Sequence, residues 1–384
     1  MVEFYYFCRC KQDYEWPAAG RILLKLLSDN QMNTESVRFL AEWENPSAIL
    51  MALPHDGTDW AYMMPQILEC YASMIGAVTG AGLKVVLLCR SRQEAEQALA
   101  GIDCHDRLVM VEYDYNDTWT RDYGPLSVER HGRHRALDFG FNGWGLKFPS
   151  DKDNLANLAL RDRYVILPEQ YRNERDFTLE GGSVESDGRG TVLTTSRCLT
   201  SPNRNGGKSK NELNEVLASR LGASHVLWLD YGALAGDDTD SHIDTLARLA
   251  PGDTILFTGC RNVDDEHFEE LLKMRAQLTL FRNAEGEPYN LVELPLPDPI
   301  YDEDDGTRLP ATYANYLVTG STLFMPVYGQ PANDELACRT VCIAFPQHKV
   351  VPVDCRALIR QHGSLHCATM QLYPGFFNDA IFRS

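Results

Sequence analysis

The chain has 384 residues, 44% of them hydrophobic, and 54 acidic against 36 basic side chains give a formal net charge of −18. Length and composition suit one large globular domain or two smaller ones, and the acidic balance opposes the phosphate backbone that dominates nucleic-acid affinity. No apolar run reaches the roughly 18–20 residues that cross a bilayer, so neither nucleic acid nor membrane is an expected partner.

Residues 1–31 begin with an aromatic run (FYYF, 4–7) and continue into a leucine-rich stretch at 21–27. That stretch is short, interrupted by lysine and without a small-residue cleavage site, so it reads as an appendage of unknown role and not as a signal peptide. Organised patterning begins at residue 32, and 32–384 is expected to form a single domain. Eleven cysteines, an odd number at irregular spacings, do not make a disulfide framework. Cys8 and Cys10 stand alone and too close together for a paired zinc site. Reduced thiols in a cytoplasmic setting are the expectation.

Short β-branched and apolar runs then recur in chain order at 48–53 (AILMAL), 83–88 (LKVVLL), 107–112 (RLVMVE), 190–195 (GTVLTT), 253–258 (DTILFT), 321–326 (STLFMP) and 349–353 (KVVPV). Each reads as a buried strand. Helical patterns fall between them at 65–79, 210–221, 264–276 and 334–344, so the class is α/β. Units marked at Ser47, Arg107, Asp176, His242 and Thr312 are spaced by about 60–70 residues, the sign of a degenerate repeat of about five supersecondary units. A doubly wound sheet is the competing architecture, but neither GxGxxG nor GxxxxGK[ST] is present.

Four stretches carry groups capable of chemistry. In 119–125 (WTRDYGP) the Trp119 indole and the Asp122 carboxylate make a natural receptor for a planar cation, unless they are a core aromatic beside a surface Arg121–Asp122 pair. Glu180 precedes a Gly-Gly turn. In 241–245 (SHIDT), an extended backbone would send His242 and Asp244 to one face, although the two residue types also serve as a hydrogen-bonded structural pair. The late loop 363–374 (GSLHCATMQLYP) carries Cys367 beside His366; if extended, it turns His366 to the opposite side, leaving His242 as the acid–base partner.

Taken together and in this order, WxRDxGP, EGG followed by DGxGTxLTT, HxD and HCxTxQ resemble the agmatine deiminase and bacterial peptidylarginine deiminase family, over about residues 43–374. The resemblance implies the pentein fold, a five-bladed α/β propeller of ββαβ units with pseudo-fivefold symmetry, and makes 32–384 the catalytic domain. It implies a hydrolase that converts agmatine to N-carbamoylputrescine and ammonia through a covalent thiouronium on Cys367. His242 would be the acid–base group and Asp122 and Asp244 the holders of the guanidinium. Trp119, Glu180 and Asn315 would be substrate contacts. No cofactor and no metal are called for; the partner is a small cationic guanidine, with a homodimer the candidate assembly. Peptidylarginine deimination is the enzymatic alternative, a non-catalytic ligand-binding pentein the other. Two departures bear on substrate choice. Gln361-His-Gly-Ser-Leu precedes His366-Cys367 where three glycines are common, and Ser241 stands where glycine often precedes the histidine.

Overall fold

The apolar runs become strands of four of the five sheets, and the alternating helices carry the chain from one strand to its parallel neighbour. A computed structural model describes residues 37–102, 104 and 106–382. The appendage expected at 1–31 and the boundary expected at 32 lie outside these residues, and the chain from Val37 onward forms one compact unit.

In chain order the strands are β1 (Val37–Phe39), β2 (Ala48–Ala52), β3 (Lys84–Cys89), β4 (Leu108–Glu112), β5 (Leu126–Arg130), β6 (Arg133–Gly140), β7 (Tyr171–Thr178), β8 (Val184–Ser186) and β9 (Thr191–Thr195). They continue with β10 (His225–Leu229), β11 (Ala247–Ala250), β12 (Thr254–Thr258), β13 (Asn290–Leu294), β14 (Leu317–Val318), β15 (Thr322–Val327), β16 (Lys349–Asp354) and β17 (Met370–Leu372). The sheet orders are β1-β5-β6-β7, β10-β9-β8, β11-β12-β13, β14-β15-β16 and β17-β2-β3-β4. Every sheet repeats one plan. An antiparallel pair (β5/β6, β8/β9, β11/β12, β14/β15, β17/β2) passes its second strand through a helix to a parallel neighbour. A parallel return needs such a crossover, which is why strand and helix patterns alternate in the sequence. The fourth strand of two sheets is an addition, β1 on β5 and β4 on β3.

The helices bury one face each. Met64–Gly80 turns Ile67, Cys70, Tyr71, Met74, Ile75 and Val78 inward, the three-and-four spacing of an amphipathic helix, and each large apolar side chain so buried stabilises the fold by about 1.5–3 kcal/mol. Lys210–Leu221 starts with a capping box between Ser209 and Glu212 and ends on left-handed Gly222, where a Cβ would lie 1.9 Å from the Val37 carbonyl oxygen. Strands β2, β9 and β12 are buried along their whole length. No described helix is long and apolar enough to cross a membrane.

One local expectation is corrected. Residues 241–245 are not extended: Ile243–Thr245 is a turn of 3-10 helix, entered through two consecutive left-handed non-glycine residues, Asp240 (φ 67°) and Ser241 (φ 62°). The acceptors that make this conformation possible are local. The Asp237 carboxylate accepts from Thr239 N and Oγ1 and from Ser241 N, outweighing a cost of about 1–2 kcal/mol per left-handed residue.

Candidate active site

Loops from several sheets enclose a cavity of about 150 Å³ whose lining includes Trp119, Asp122, His242, Asp244 and Cys367. At roughly 10–15 Å³ of free volume per water, it has room for a small linear cation. Residues 248 positions apart in the chain, Trp119 and Cys367, thus share one chamber, and each is held there by identifiable contacts.

The WTRD segment is a short helix, Thr120–Tyr123. Arg121 N donates to the Cys367 carbonyl oxygen at 3.1 Å, tying this segment to the cysteine loop. Arg121 itself is not a surface residue: its buried guanidinium pairs with Glu42 at 2.8 Å and donates to Gln371 Oε1 at 2.5 Å. Asp122 accepts from Trp144 Nε1 at 2.9 Å and from Gly182 N at 3.0 Å, with His242 Nδ1 3.5 Å away. Burial pushes the Asp122 carboxyl up to about 6, with the neighbouring His242 and the Trp144 bond opposing and Asp244 and Glu180 adding to the rise.

Gly182 explains the second glycine of EGG. A Cβ there would lie 2.7 Å from His242 Nδ1, 2.8 Å from Asp122 Oδ1 and 3.0 Å from Asp244 Oδ2, so only glycine lets the imidazole and both carboxylates converge. Gly363 does the same for Trp119, whose ring atoms stand 2.5 Å from where a Cβ would be.

His242 is fully buried and neither ring nitrogen has a hydrogen-bond partner in the protein. Burial pulls its pKa down, but Asp122, Cys198 and Glu180 prevail and hold it well above the ordinary range. The imidazole is therefore a cation at neutral pH. Asp244 is held low despite its burial, by the bond from His366 at 2.7 Å and by the nearby positive groups, and its Oδ1 is free. Cys367, 7% exposed, places its sulfur 3.7 Å from Asp244 Oδ2 and 3.3 Å from Asn315 Nδ2. Burial and the charges of Asp244 and Asp122 raise the thiol well above its usual value, so these surroundings favour the protonated sulfur.

Glu180 and Asn315 stand one layer back from the cavity lining. Both Glu180 oxygens accept from Arg204 Nε at 2.9 Å, and Oε2 lies 3.9 Å from His242 Nε2. Arg204 continues to Asp240 Oδ2 at 2.6 Å and to the Thr239 carbonyl at 2.8 Å, fastening the loop before His242. Asn315 Oδ1 accepts from His366 N at 3.0 Å and Cys367 N at 3.4 Å, bracing the cysteine turn. His366 does face away from the cavity: Nδ1 meets Asp244, while Nε2 lies 2.8 Å from Glu42 and 3.0 Å from Arg248 Nη2.

Sequence reasoning missed Trp144 and Phe148, carried on a loop with left-handed Trp144 and Leu146; two glycines around the tryptophan were the available signal. It also missed the acidic mouth formed by Asp59, Asp117, Asp237 and Asp238. Among the described residues, two groups of ligand-type atoms come together, Glu180–Cys198–His242 and Glu42–Glu185–His366, the atoms within each group lying within 4.8 Å of one another. Each of their carboxylates already faces an arginine, Arg204 for Glu180, Arg248 for Glu185, and Arg121 and Arg248 for Glu42, so they read as buried ion pairs.

A family model of Porphyromonas-type peptidyl-arginine deiminases matches residues 38–373. The chain belongs to this family. Among solved structures, a "putative arginine deiminase" from Porphyromonas gingivalis is 41% identical to this family member, with TM-score 0.83 over 89% of this chain and 100% of that one. A C. jejuni agmatine deiminase, a cysteine-to-serine variant with substrate bound, is 35% identical, with TM-score 0.81 over 90% and 98%. A Shewanella sp. (strain MR-4) protein named "putative agmatine deiminase" is 31% identical over 365 residues, 87% of this chain and 94% of that one.

Proposed function

We propose that the protein is an agmatine deiminase, hydrolysing agmatine to N-carbamoylputrescine and ammonia, and that its five sheets are the blades of a pentein propeller with the cavity at the centre. The observation that carries this reading is the convergence of Cys367, His242, Asp122 and Asp244 on one small cavity. The similarity to named agmatine deiminases over nearly the whole of each chain supports the substrate.

The guanidinium carbon belongs to a resonance-stabilised cation that water attacks poorly, so covalent catalysis divides the step. Asp122 and Asp244 hold the guanidinium nitrogens by charge-assisted hydrogen bonds, each worth roughly 1.5–3 kcal/mol. The bound cation offsets the two carboxylates that disfavour the thiolate, so the Cys367 proton passes to solvent as substrate binds and is regained when product leaves, and substrate helps to ionise its own nucleophile. The Cys367 sulfur then forms a C–S bond at the guanidinium carbon; the C–N bond breaks, and His242 supplies the proton with which ammonia leaves. Water gives a proton back to His242 as it attacks the thiouronium, the C–S bond breaks, and the ureido product departs. Trp119 walls the planar group, Glu180 steadies His242, and Asn315 positions the sulfur.

Purified protein incubated with agmatine, free arginine and an arginine-containing peptide, with ammonia and ureido product assayed, tests the reading. Turnover of agmatine is expected, abolished by Cys367→Ala with binding retained. Turnover confined to the peptide would assign the chain to peptidylarginine deimination.

A further inference from the structure

The two nitrogens of His242 face different surroundings. Nδ1 is on the side of the guanidinium carboxylates: Asp122 Oδ1 is 3.5 Å away, and the Cβ that Gly182 lacks would meet Nδ1, Asp122 and Asp244 together. Nε2 looks towards Glu180 Oε2 at 3.9 Å, a separation too long for a hydrogen bond. The thiol of Cys198 stands at this gap. Its sulfur is 3.9 Å from the same Glu180 oxygen, and sulfur, carboxylate oxygen and imidazole nitrogen all lie within 4.8 Å of one another.

The thiol is fully buried and its place is set by the end of β9. Cys198 N donates to Thr195 Oγ1 at 3.3 Å, and Thr195 Oγ1 donates to the carbonyl of Ser241 at 2.8 Å, so one hydroxyl fixes both the sulfur and the residue before His242. Burial and the charge of Glu180 raise the Cys198 thiol, against His242 and Arg204, which keeps it neutral. A neutral thiol has one proton to donate and sulfur lone pairs to offer, Glu180 can only accept, and a protonated Nε2 can only donate. The two capacities of the thiol match its two neighbours.

We propose that Cys198 is a positioning residue: its sulfur offers lone pairs to His242 Nε2–H and its S–H turns to Glu180 Oε2, so that the ring keeps the Nε2 proton and exchanges protons with substrate and water through Nδ1. The proposal rests on His242 being the acid–base group. Neither ring nitrogen has a conventional hydrogen bond, so this soft contact is what distinguishes one from the other. A carboxylate bonded directly to Nε2 would hold the imidazolium more firmly and make it a poorer acid; the thiol stands between them.

The ring is faced by Asp122, Asp244 and Cys367 on one side and by Glu180, Arg204 and Cys198 on the other, and the test alters Cys198 alone. Cys198→Val fills the space without a donor or acceptor. With agmatine its kcat is expected to fall roughly tenfold with KM nearly unchanged. The basic limb of kcat/KM, where His242 loses its proton, should move to lower pH by about 0.4–1 unit, the size of one net hydrogen bond. Cys198→Ser, which retains both capacities, should restore most of the limb. Wild-type behaviour of the valine variant, or equal shifts in the two variants, overturns the role. Nitrogen NMR of histidine-labelled protein, with His242→Asn to assign the signal, decides it without turnover and without a Cys198 variant. At alkaline pH the neutral His242 ring is expected as the Nε2–H tautomer, and the Nδ1–H tautomer overturns the proposal. Should no guanidine be turned over, the catalytic reading fails and the tautomer still upholds or overturns the contact.

Discussion

His366 turns its Nδ1 onto Asp244 Oδ2 at 2.7 Å, and the sulfur of its chain neighbour Cys367 lies 3.7 Å from the same oxygen. One histidine, itself outside the cavity, thereby fixes the carboxylate that stands beside the thiol. His366→Ala removes the bond that keeps Asp244 low, so the Asp244 pKa rises. The acid limb of kcat/KM against pH, which reports the free enzyme, is expected to steepen from one proton towards two, and His366→Asn to restore part of the wild-type shape. An unchanged limb would deny His366 this positioning role.

The wild-type acid limb itself should centre near pH 6, where Asp122 releases its proton. Its pKa is raised, so the carboxylate that holds a guanidinium is absent below that pH and present above it. Activity must therefore rise with pH through about 6, and a limb centred near 4 would contradict this.

The thiol of Cys367 is raised well above its ordinary value by burial and by two carboxylates, so iodoacetamide should modify it slowly at neutral pH and faster only in strongly alkaline solution, in the absence of substrate. Peptide mapping separates it from the exposed Cys342. Rapid alkylation well below neutrality would remove the need for substrate-assisted ionisation.

Gly182→Ala places a methyl group within 3.0 Å of His242, Asp122 and Asp244. The backbone there has an ordinary φ, so the fold survives and the three groups move apart. A displacement of about 1 Å costs on the order of 100-fold in rate, and kcat is expected to fall by at least that while circular dichroism stays native.

Arg204→Met leaves Glu180 buried without its partner, which costs about 3–5 kcal/mol, measurable by urea denaturation. Adding Glu180→Gln to that variant should recover part of the stability but not the activity, because His242 and the loop at 237–241 lose their common anchor.

The class and much of the element order were legible in the sequence because buried strands carry a dense apolar signal. The runs at 48–53 and 253–258 become the fully buried β2 and β12, and the helices at 65–79 and 210–221 fall within a residue of their observed ends. Cys367, His242, Asp122 and Asp244 could be named because each sits in a compact motif. The shape of 241–245 was not legible, since its 3-10 turn depends on the Asp237 side chain folding back on the chain. Arg121 and Arg204 were equally hidden: nothing local distinguishes a buried arginine from an exposed one when its partners, Glu42 and Glu180, lie 79 and 24 residues away.

β17 follows directly on the cysteine turn and pairs with β2 in register Met370↔Leu50, so the sheet that β2 begins is completed by the last strand of the chain. A chain emerging from the ribosome therefore displays its acids and imidazole long before it owns a sulfur to set among them. Assembly and competence coincide: losing the 18 residues after 366 would remove both the sulfur and the strand that completes this sheet.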